Sequence, residues 1–174
     1  MKNYLSALLG IAMVGAGAYL FTRKNNTTMG NKTTLIEGGS LPRGYRNNNP
    51  LNIRYSSSNN WLGKVTPNTD GVFEQFQSME YGYRAALYLI RKYISQGYTT
   101  IRQIVTKWAP PTENNTASYI AHVEQYAGIS ADYKISQWDE NALVSIVAAM
   151  ARIENGPVAG QPIRSQIESG YNLL

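Results

Sequence analysis

The sequence contains no cysteine and only one histidine, His122, among its 174 residues. The lack of cysteine excludes disulfides, thiolate zinc sites and a cysteine nucleophile. One histidine is too few for the zinc sites of peptidases and deaminases, which need several nitrogen or sulfur ligands. No DxDxDG-type calcium loop or serine-elbow motif is present. We therefore expect no cofactor and no metal. The one kind of metal site that the composition does not exclude is a site built from carboxylates alone.

Charged residues are also scarce, at 16%, and the net charge of +5 is unevenly placed. Residues 1–32 contain four Lys or Arg and no acid, whereas the rest of the chain contains 12 basic and 11 acidic residues. This nearly neutral body shows no cluster of basic residues, so it lacks the pattern typical of proteins that bind phosphate backbones. We therefore expect no nucleic-acid partner.

An uncharged run of 18 residues, Tyr4 to Phe21, stands near the N-terminus. Its length and its terminal tyrosines predict a transmembrane anchor over residues 1–22. A cleaved signal peptide is the alternative. The basic residues that follow the run would keep the body on the cytoplasmic side. Residues 23–40, rich in Asn, Thr and Gly, predict a flexible linker, and residues 41–174 a single globular domain.

The pattern of the body predicts an α+β fold that is mainly α. Alternating apolar residues from Leu51 to Tyr55 and a second apolar segment from Val72 to Phe76 predict a small antiparallel sheet within residues 50–77. Helical periodicity and capping residues predict the helices that follow. Their expected ranges are 78–94, 101–108, 115–127, 139–154 and 163–168.

One carboxylate lies in an unusual position, at the end of the stretch AAMARIENG. Glu154 shares one face of its predicted helix with apolar residues at spacings of four and three, namely Leu143, Val147 and Met150. Burial and the negative end of the helix dipole would both raise its pKa. A protonated carboxyl in an apolar cleft is what a glycosidase needs as general acid. The same periodicity also allows Glu154 to face solvent or to pair with Arg152.

Several segments resemble the superfamily of lytic transglycosylases and goose-type lysozymes. AMARIENG is similar to a helix of the form A-I-A-x-x-E-S, which ends in the acid/base glutamate of that superfamily. YGYRAALYLIRKYI is similar to its G-x-x-x-L-x-x-L-L-x-x-Y helix. ENNTASYIAHVEQY resembles E-T-x-x-Y-V-x-x-V, with Tyr119 at the tyrosine position. RNNNPLNIR and FEQFQSMEYGYRA resemble motifs of related glucosaminidases.

In chain order, RGYRNNNPLNIRY, WAPPTENNT and ARIENG resemble a phage family of virion-associated lytic transglycosylases, also called structural lytic proteins. This resemblance extends over residues 42–165 and implies a lysozyme-like domain. The glutamate helix comes last in this chain, although it comes first in an ordinary transglycosylase. That order indicates a circular permutation.

The resemblance implies cleavage of the β-1,4 bond between the sugars of peptidoglycan, with Glu154 as the single acid/base. Glu154 would protonate the glycosidic oxygen and then, as a base, help the 6-hydroxyl of the sugar attack the anomeric carbon. Tyr119 would bond to the reacting sugar or to Glu154, unless it is simply a half-buried helix residue. We expect substrate contacts from several further residues, some of which also suit turn, cap or core positions: Asn48, Asn49, Asn52, Glu113 and Trp61.

Other carboxylates offer rival sites. Asp70 and Glu74 are the only acids of the predicted sheet, where a hydrolysing lysozyme often has its second carboxylate, although Asp70 also suits a turn. Glu37 and Glu168 match catalytic motifs superficially but follow no long apolar helix. Glu80 is explained by the dipole of the helix that it begins.

The apolar run predicts a membrane anchor, and the resemblance implies a phage enzyme that opens the cell wall from the periplasm, while the genome enters the host or during lysis. Its expected partners are peptidoglycan, a viral or bacterial inner membrane, and other virion proteins. Delivery in a virion would remove the conflict with the basic residues after the anchor. The alternatives are a non-enzymatic virion membrane protein with a degenerate lysozyme-like fold, a wall-binding or amidase-type module, and a holin-like role for the N-terminal segment.

Overall fold

The computed structural model describes residues 41–156 and 162–174. In these two ranges the chain forms six helices: α1 Arg43–Arg46, α2 Met79–Ser95, α3 Ile101–Trp108, α4 Thr116–Ala127, α5 Glu140–Asn155 and α6 Arg164–Asn172. None of these described helices is both long and apolar enough to cross a membrane. The predicted anchor at 1–22, the predicted linker at 23–40 and Glu37 lie outside the described residues.

Helix α5 is the centre of the domain and packs against α1, α2, α4 and α6. It is apolar on almost every side, because its sequence ALVSIVAAMA combines large and small apolar residues with a single serine. Small side chains let the neighbouring helices approach closely, while the large ones fill the space between them. Its buried residues are Ala142, Leu143, Val144, Ile146, Val147, Ala149, Met150, Ala151 and Asn155.

Side-chain caps fix where three of the helices begin. Thr100 and Gln103 form a capping box at the start of α3. Asn115 and Asp139 cap α4 and α5 by accepting bonds from backbone amides of the first turn. The three helices therefore begin within one residue of their predicted starts. Helix α6 runs to Asn172, beyond its predicted end at 168, because it lies along α2.

The predicted α+β class, a lysozyme-like domain with a small antiparallel sheet, is wrong for the described residues. They contain no strand in residues 50–77 or elsewhere, and only two isolated antiparallel bridges, Arg54 to Phe73 and Lys64 to Phe76. The physical reason lies in the backbone before the first bridge. Asn48 and Asn52 adopt positive φ angles of 49° and 51°, which turn the chain and prevent an extended ladder.

Buried amides hold this irregular segment in place of a sheet. Asn49 is completely buried, and its side chain bonds to the backbone of both Ile53 and Glu74 at 2.9 Å. At Gly82 of α2, an added Cβ would collide with the carbonyl oxygen of Asn48. The segment is therefore pressed directly against α2, and it reaches the C-terminal end of α5.

Candidate active site

The carboxyl group of Glu154, in the last turn of α5, accepts hydrogen bonds from three uncharged donors. Tyr119 Oη donates to Oε1 at 2.9 Å, and Trp108 Nε1 donates to the same oxygen at 3.3 Å. Asn52 Nδ2 donates to Oε2 at 3.1 Å. The carboxyl therefore points inward, and the alternative in which it extends into solvent is wrong.

Four separate elements supply this cluster. Trp108 ends α3, where the chain approaches Pro110 and Pro111 and cannot continue as a helix. Tyr119 lies on the buried face of α4, one turn after its Asn115 cap. Asn52 is carried by the loop after α1, in which its left-handed backbone aims the side chain at α5. The site consequently exists only when α3, α4, α5 and this loop have packed together.

Asn155, the residue after the glutamate, fixes the loop that carries Asn52. Its Nδ2 donates to the carbonyl oxygen of Pro50 at 2.7 Å and to that of Ala151 at 2.8 Å. Gly44 of α1 permits this contact, because a Cβ there would collide with Asn155 Oδ1 and approach Asn52 Oδ1 to 3.0 Å. Asn155 thus fixes the position of Asn52 relative to Glu154.

Burial raises the pKa of Glu154, and the hydrogen bonds from Asn52, Tyr119 and Trp108, which favour the charged form, only partly oppose this effect. Burial also raises the pKa of Tyr119 well above its usual value, and the neighbouring Glu154 charge acts in the same direction. Tyr119 therefore stays a neutral phenol, and Glu154 retains its proton to a higher pH than an exposed glutamate does. The residue as a whole keeps some exposure at the end of α5, although its carboxyl group is buried.

Two buried oxygens beside the cluster bear on the proton of Glu154. Oδ1 of Asn52 and Oδ1 of Asn155 have no hydrogen-bond donor, and both face the same space beside Gly44. If the Asn52 amide is reversed, its oxygen can accept a bond from a protonated Glu154, and its nitrogen turns toward the other unpaired oxygen. The surroundings of Glu154 can therefore accommodate both protonation states.

A groove with a volume of about 480 Å³ runs along the start of α4 and reaches the cluster through Tyr119 and Ile153. Glu113 lines this groove, which places it near the cluster. The cap of α4 is Asn115, so Glu113 does not have the capping role considered from the sequence. His122 is exposed on the same groove, and its ring nitrogen contacts the carbonyl oxygen of Ser118 at 2.7 Å.

The remaining predicted substrate contacts lie elsewhere or serve the backbone. The Asn48 side chain donates to the carbonyl oxygen of Phe76 at 3.0 Å. The Asn49 side chain donates to the carbonyl oxygens of Ile53 and Glu74. Both residues shape the loop rather than the cluster. Trp61 lines a different groove, beside Arg84, which shares no lining residue with the groove at Tyr119.

Asp70 is saturated by structural bonds. Burial alone would raise its pKa, but the bidentate contact of Arg43, at 2.7 Å to each oxygen, and donors from Asn47, Phe73 and Val72 hold the pKa well below its ordinary value. This carboxylate joins α1 to the turn at residues 70–73. It has the structural role that its turn position suggested.

Glu74 is completely buried and pairs with Lys64 at 3.2 Å, while Ser56 and Asn59 donate to its other oxygen. Glu168 forms an exposed ion pair with Arg164, one turn earlier on α6, at 2.7 Å. Glu80 lies in the first turn of α2, as its dipole explanation requires. None of these three carboxylates shares the neutral, apolar surroundings of Glu154.

Sequence reasoning missed Trp108 and Asn155 as members of the site. Trp108 carries no local signal, because its indole N–H lies 46 residues along the chain from the carboxyl that it contacts. Asn155 had a local signal, because an amide at the end of an apolar helix requires a partner when it is buried.

No family model matches the chain. The chain is 34% identical over 134 residues to Protein P5 of Pseudoalteromonas phage PM2, and the alignment covers 74% of this chain and 82% of the phage protein. At this identity and coverage, the chain belongs to the same family as Protein P5 of this bacteriophage.

Proposed function

We propose that the chain cleaves the β-1,4 glycosidic bond of peptidoglycan as a lytic transglycosylase, with Glu154 as its acid/base. The observation that carries this proposal is the surroundings of Glu154. A carboxyl with a raised pKa is held by neutral donors beside an open groove. Such surroundings keep Glu154 protonated to a higher pH than an exposed glutamate, and a protonated acid is what departure of a sugar oxygen requires.

In this mechanism, Glu154 first donates its proton to the glycosidic oxygen of a glycan strand lying in the groove. The bond between that oxygen and the anomeric carbon breaks, and the sugar acquires oxocarbenium character. The carboxylate that remains is stabilised by the three donors already in place, Tyr119, Trp108 and Asn52. It then removes the proton of the 6-hydroxyl of the same sugar as that oxygen attacks the anomeric carbon, and Glu154 is protonated again.

A single-glutamate mechanism suits the distribution of the other acids. A hydrolase of the two-carboxylate type needs a second group free to act on water or on the sugar. Asp70 is bound by a guanidinium and several N–H groups. Glu74 is completely buried and forms an ion pair with Lys64. Intramolecular attack by the sugar needs no such second carboxylate.

The phage family of the chain supports a biological setting for this activity. Local opening of the cell wall is needed when a phage genome enters its host or when progeny leave, and the enzyme would act on the periplasmic side. Peptidoglycan is then the principal partner, and other virion proteins would carry the enzyme to the wall. The position of the chain relative to a membrane depends on residues 1–22 and remains a prediction.

The test is digestion of purified peptidoglycan by the full chain and by its Glu154→Gln variant, with mass spectrometry of the released muropeptides. We expect anhydro products, about 18 Da lighter than hydrolysis products, and a loss of roughly 1000-fold or more in rate in the variant. The Glu168→Gln variant is the matched control, because it makes the same change at a carboxylate in an exposed ion pair, and it should cleave like the wild type.

Three results would contradict the proposal in different ways. Hydrolysis products would show that the chain is a lysozyme-type hydrolase and not a transglycosylase. Full activity of Glu154→Gln would remove Glu154 from the mechanism. If the wild type is folded, as judged by circular dichroism, and releases no products, the chain is a non-enzymatic virion protein.

A further inference from the structure

A second groove lies on the exposed face of α2, away from Glu154. Arg84, Tyr88, Arg91 and Lys92 follow one another on this face at helical spacing and form one wall, while the loop of residues 57–64 forms the other. Two adjoining depressions, with volumes of about 750 and 310 Å³, share residues 58–61 and Arg84. A third, of about 310 Å³, continues past Tyr88 and Lys92. We refer to these three depressions together as the α2 groove.

Aromatic rings are placed along the α2 groove. Trp61 meets Tyr88 edge to face, with 5.8 Å between the ring centroids, and this contact fixes the loop against the helix. Tyr88 is nevertheless 46% exposed. Beyond the third depression, Trp138 is 68% exposed, and the guanidinium of Arg91 lies 4.4 Å from its ring centre. Rigid, half-open aromatic rings offer apolar faces at low entropic cost, and the apolar face of a sugar ring can stack on them.

The charge of the α2 groove is positive. Lys64 is neutralised by the buried Glu74, which leaves Arg84, Arg91 and Lys92. Among the described residues that line the three depressions, no side chain is acidic. Arg84 is held in position because its Nε donates to the carbonyl oxygen of Leu173 at 2.8 Å. This arrangement concentrates positive potential along a concave surface, and such a surface attracts an extended anion.

Amide and hydroxyl groups complete the lining, chiefly those of Ser58, Asn59 and Asn60. We propose that the α2 groove binds a glycan strand that carries carboxylates, with sugar rings on Tyr88 and Trp61 and carboxylates at Arg84 and Lys92. A flat anionic membrane would match the charge, but it would leave the concave, amide-lined part of the groove unfilled. An extended polymer of sugars fits both features.

This binding does not depend on the reaction assigned to Glu154, because the α2 groove shares no lining residue with the groove beside Tyr119. In a wall-cleaving enzyme it would hold a neighbouring strand of the anionic wall while another strand is cut. In a protein without catalytic activity, it would still attach the chain to the wall.

The three tryptophans of the chain allow the two grooves to be observed separately. The indole N–H signal of Trp108 reports on the Glu154 cluster, and those of Trp61 and Trp138 report on the α2 groove. The experiment uses the full chain carrying Glu154→Gln, titrated by NMR with soluble, uncrosslinked peptidoglycan strands that retain their stem peptides. Parallel titrations use the same strands with amidated carboxyls, neutral chitohexaose, and phosphatidylglycerol vesicles.

We expect the anionic strands to shift the Trp61 signal, and amidation to weaken this binding about tenfold. The double substitution Tyr88→Ala with Lys92→Ala should also weaken it about tenfold. The matched control substitutes Tyr133 and Lys134, an exposed tyrosine and lysine that line none of the three depressions, and should bind as the unsubstituted chain does.

Several results would overturn the assignment. A shift of the Trp108 signal alone would show that glycan binds only at the Glu154 cluster. Unchanged affinity in the Tyr88 and Lys92 variant would show that these two side chains do not contact the glycan. Equal affinity for amidated strands would show that the carboxylates of the glycan do not contribute to binding. A Trp61 shift with vesicles but not with strands would assign the α2 groove to a membrane surface.

Discussion

At the scale of single residues, the chemistry of the site depends on opposing influences on one carboxyl group. Burial disfavours the charged form of Glu154, while Tyr119, Asn52 and Trp108 favour it. Neither influence alone gives a usable acid, because complete burial would prevent proton release and full solvation would leave no proton to give. The donors are neutral, so each can be removed without introducing a new charge.

The first residue-scale prediction concerns Tyr119→Phe and the pH dependence of catalysis. Burial holds the pKa of Glu154 above its ordinary value, and the Tyr119 hydroxyl lowers it in part, so removal of the hydroxyl should raise it further. Because the acid must be protonated, activity falls as pH rises through this pKa. The falling limb of kcat against pH should therefore move up by about one pH unit.

The control for this measurement is Tyr133→Phe, which removes an exposed hydroxyl at a residue that is 57% exposed. Its pH profile should match that of the wild type. If the falling limb of Tyr119→Phe stays at the same pH while kcat decreases equally at every pH, the hydroxyl instead contacts the sugar.

The second residue-scale prediction concerns the orientation of the Asn52 amide. With Glu154 charged, Asn52 Nδ2 faces the carboxylate, whereas with Glu154 protonated the reversed amide satisfies the unpaired oxygens of both Asn52 and Asn155. We expect the side-chain amide signals of Asn52 in NMR spectra to change with pH in step with the Glu154 carboxyl carbon. The amide of Asn48, bonded to the carbonyl of Phe76, is the reference that should not move. Constant Asn52 signals throughout the titration of Glu154 would disprove the reversal.

At the scale of helices and loops, the domain depends on close approach between α2 and the segment of residues 47–52. This segment replaces the sheet that the alternation of apolar residues suggested. Leu51 is 0% and Ile53 6% exposed, as the alternation predicted, whereas Tyr55 is 38% exposed. The pattern therefore identified two residues that face the core, but it could not reveal that Asn48 and Asn52 turn the backbone.

Substitution of Gly82 tests this close approach. In a helix interior, Gly→Ala normally stabilises by about 1 kcal/mol. At Gly82 the added methyl would overlap the backbone carbonyl of Asn48, which cannot rotate away as a side chain could. We expect Gly82→Ala to destabilise the domain by about 2–4 kcal/mol, measured by urea unfolding.

Gly128→Ala is the comparison for that substitution. Gly128 has a φ of 67° and nothing near the position of an added Cβ, so only backbone strain is introduced, at a cost of about 1 kcal/mol. A Gly82→Ala protein as stable as the wild type would show that α2 and the loop can separate without cost.

At the scale of the whole molecule, α5 occupies the centre, and α1, α2, α4 and α6 pack against it. Its amide protons should exchange with solvent more slowly than those of any other described helix, at the rate set by global unfolding. Hydrogen exchange followed by NMR measures this directly, with the exposed four-residue α1 as the fast-exchanging reference. Amides of α2 or α4 that outlast those of α5 would show that a different helix forms the most stable part.

Local signals in the sequence predicted α2 to α5, but they predicted neither α1 nor the assembly of the site. Apolar periodicity and the caps at Thr100, Asn115 and Asp139 are local signals, so α2 to α5 were predicted within a residue or two. Glu154 was found because an acid on an apolar helix face is itself a local anomaly. Contacts such as Asn52 to Glu154 join residues 102 apart, and no spacing rule in one sequence reports them.

The same separation has a consequence for biosynthesis. The two bonds that bring the loop to α5, from Asn52 to Glu154 and from Asn155 to Pro50, span 102 and 105 residues. A ribosome must therefore release the whole of α5 before either bond can form, so a nascent or prematurely terminated chain has no assembled acid. A cell that makes this protein would therefore contain no assembled Glu154 cluster until translation of α5 is complete.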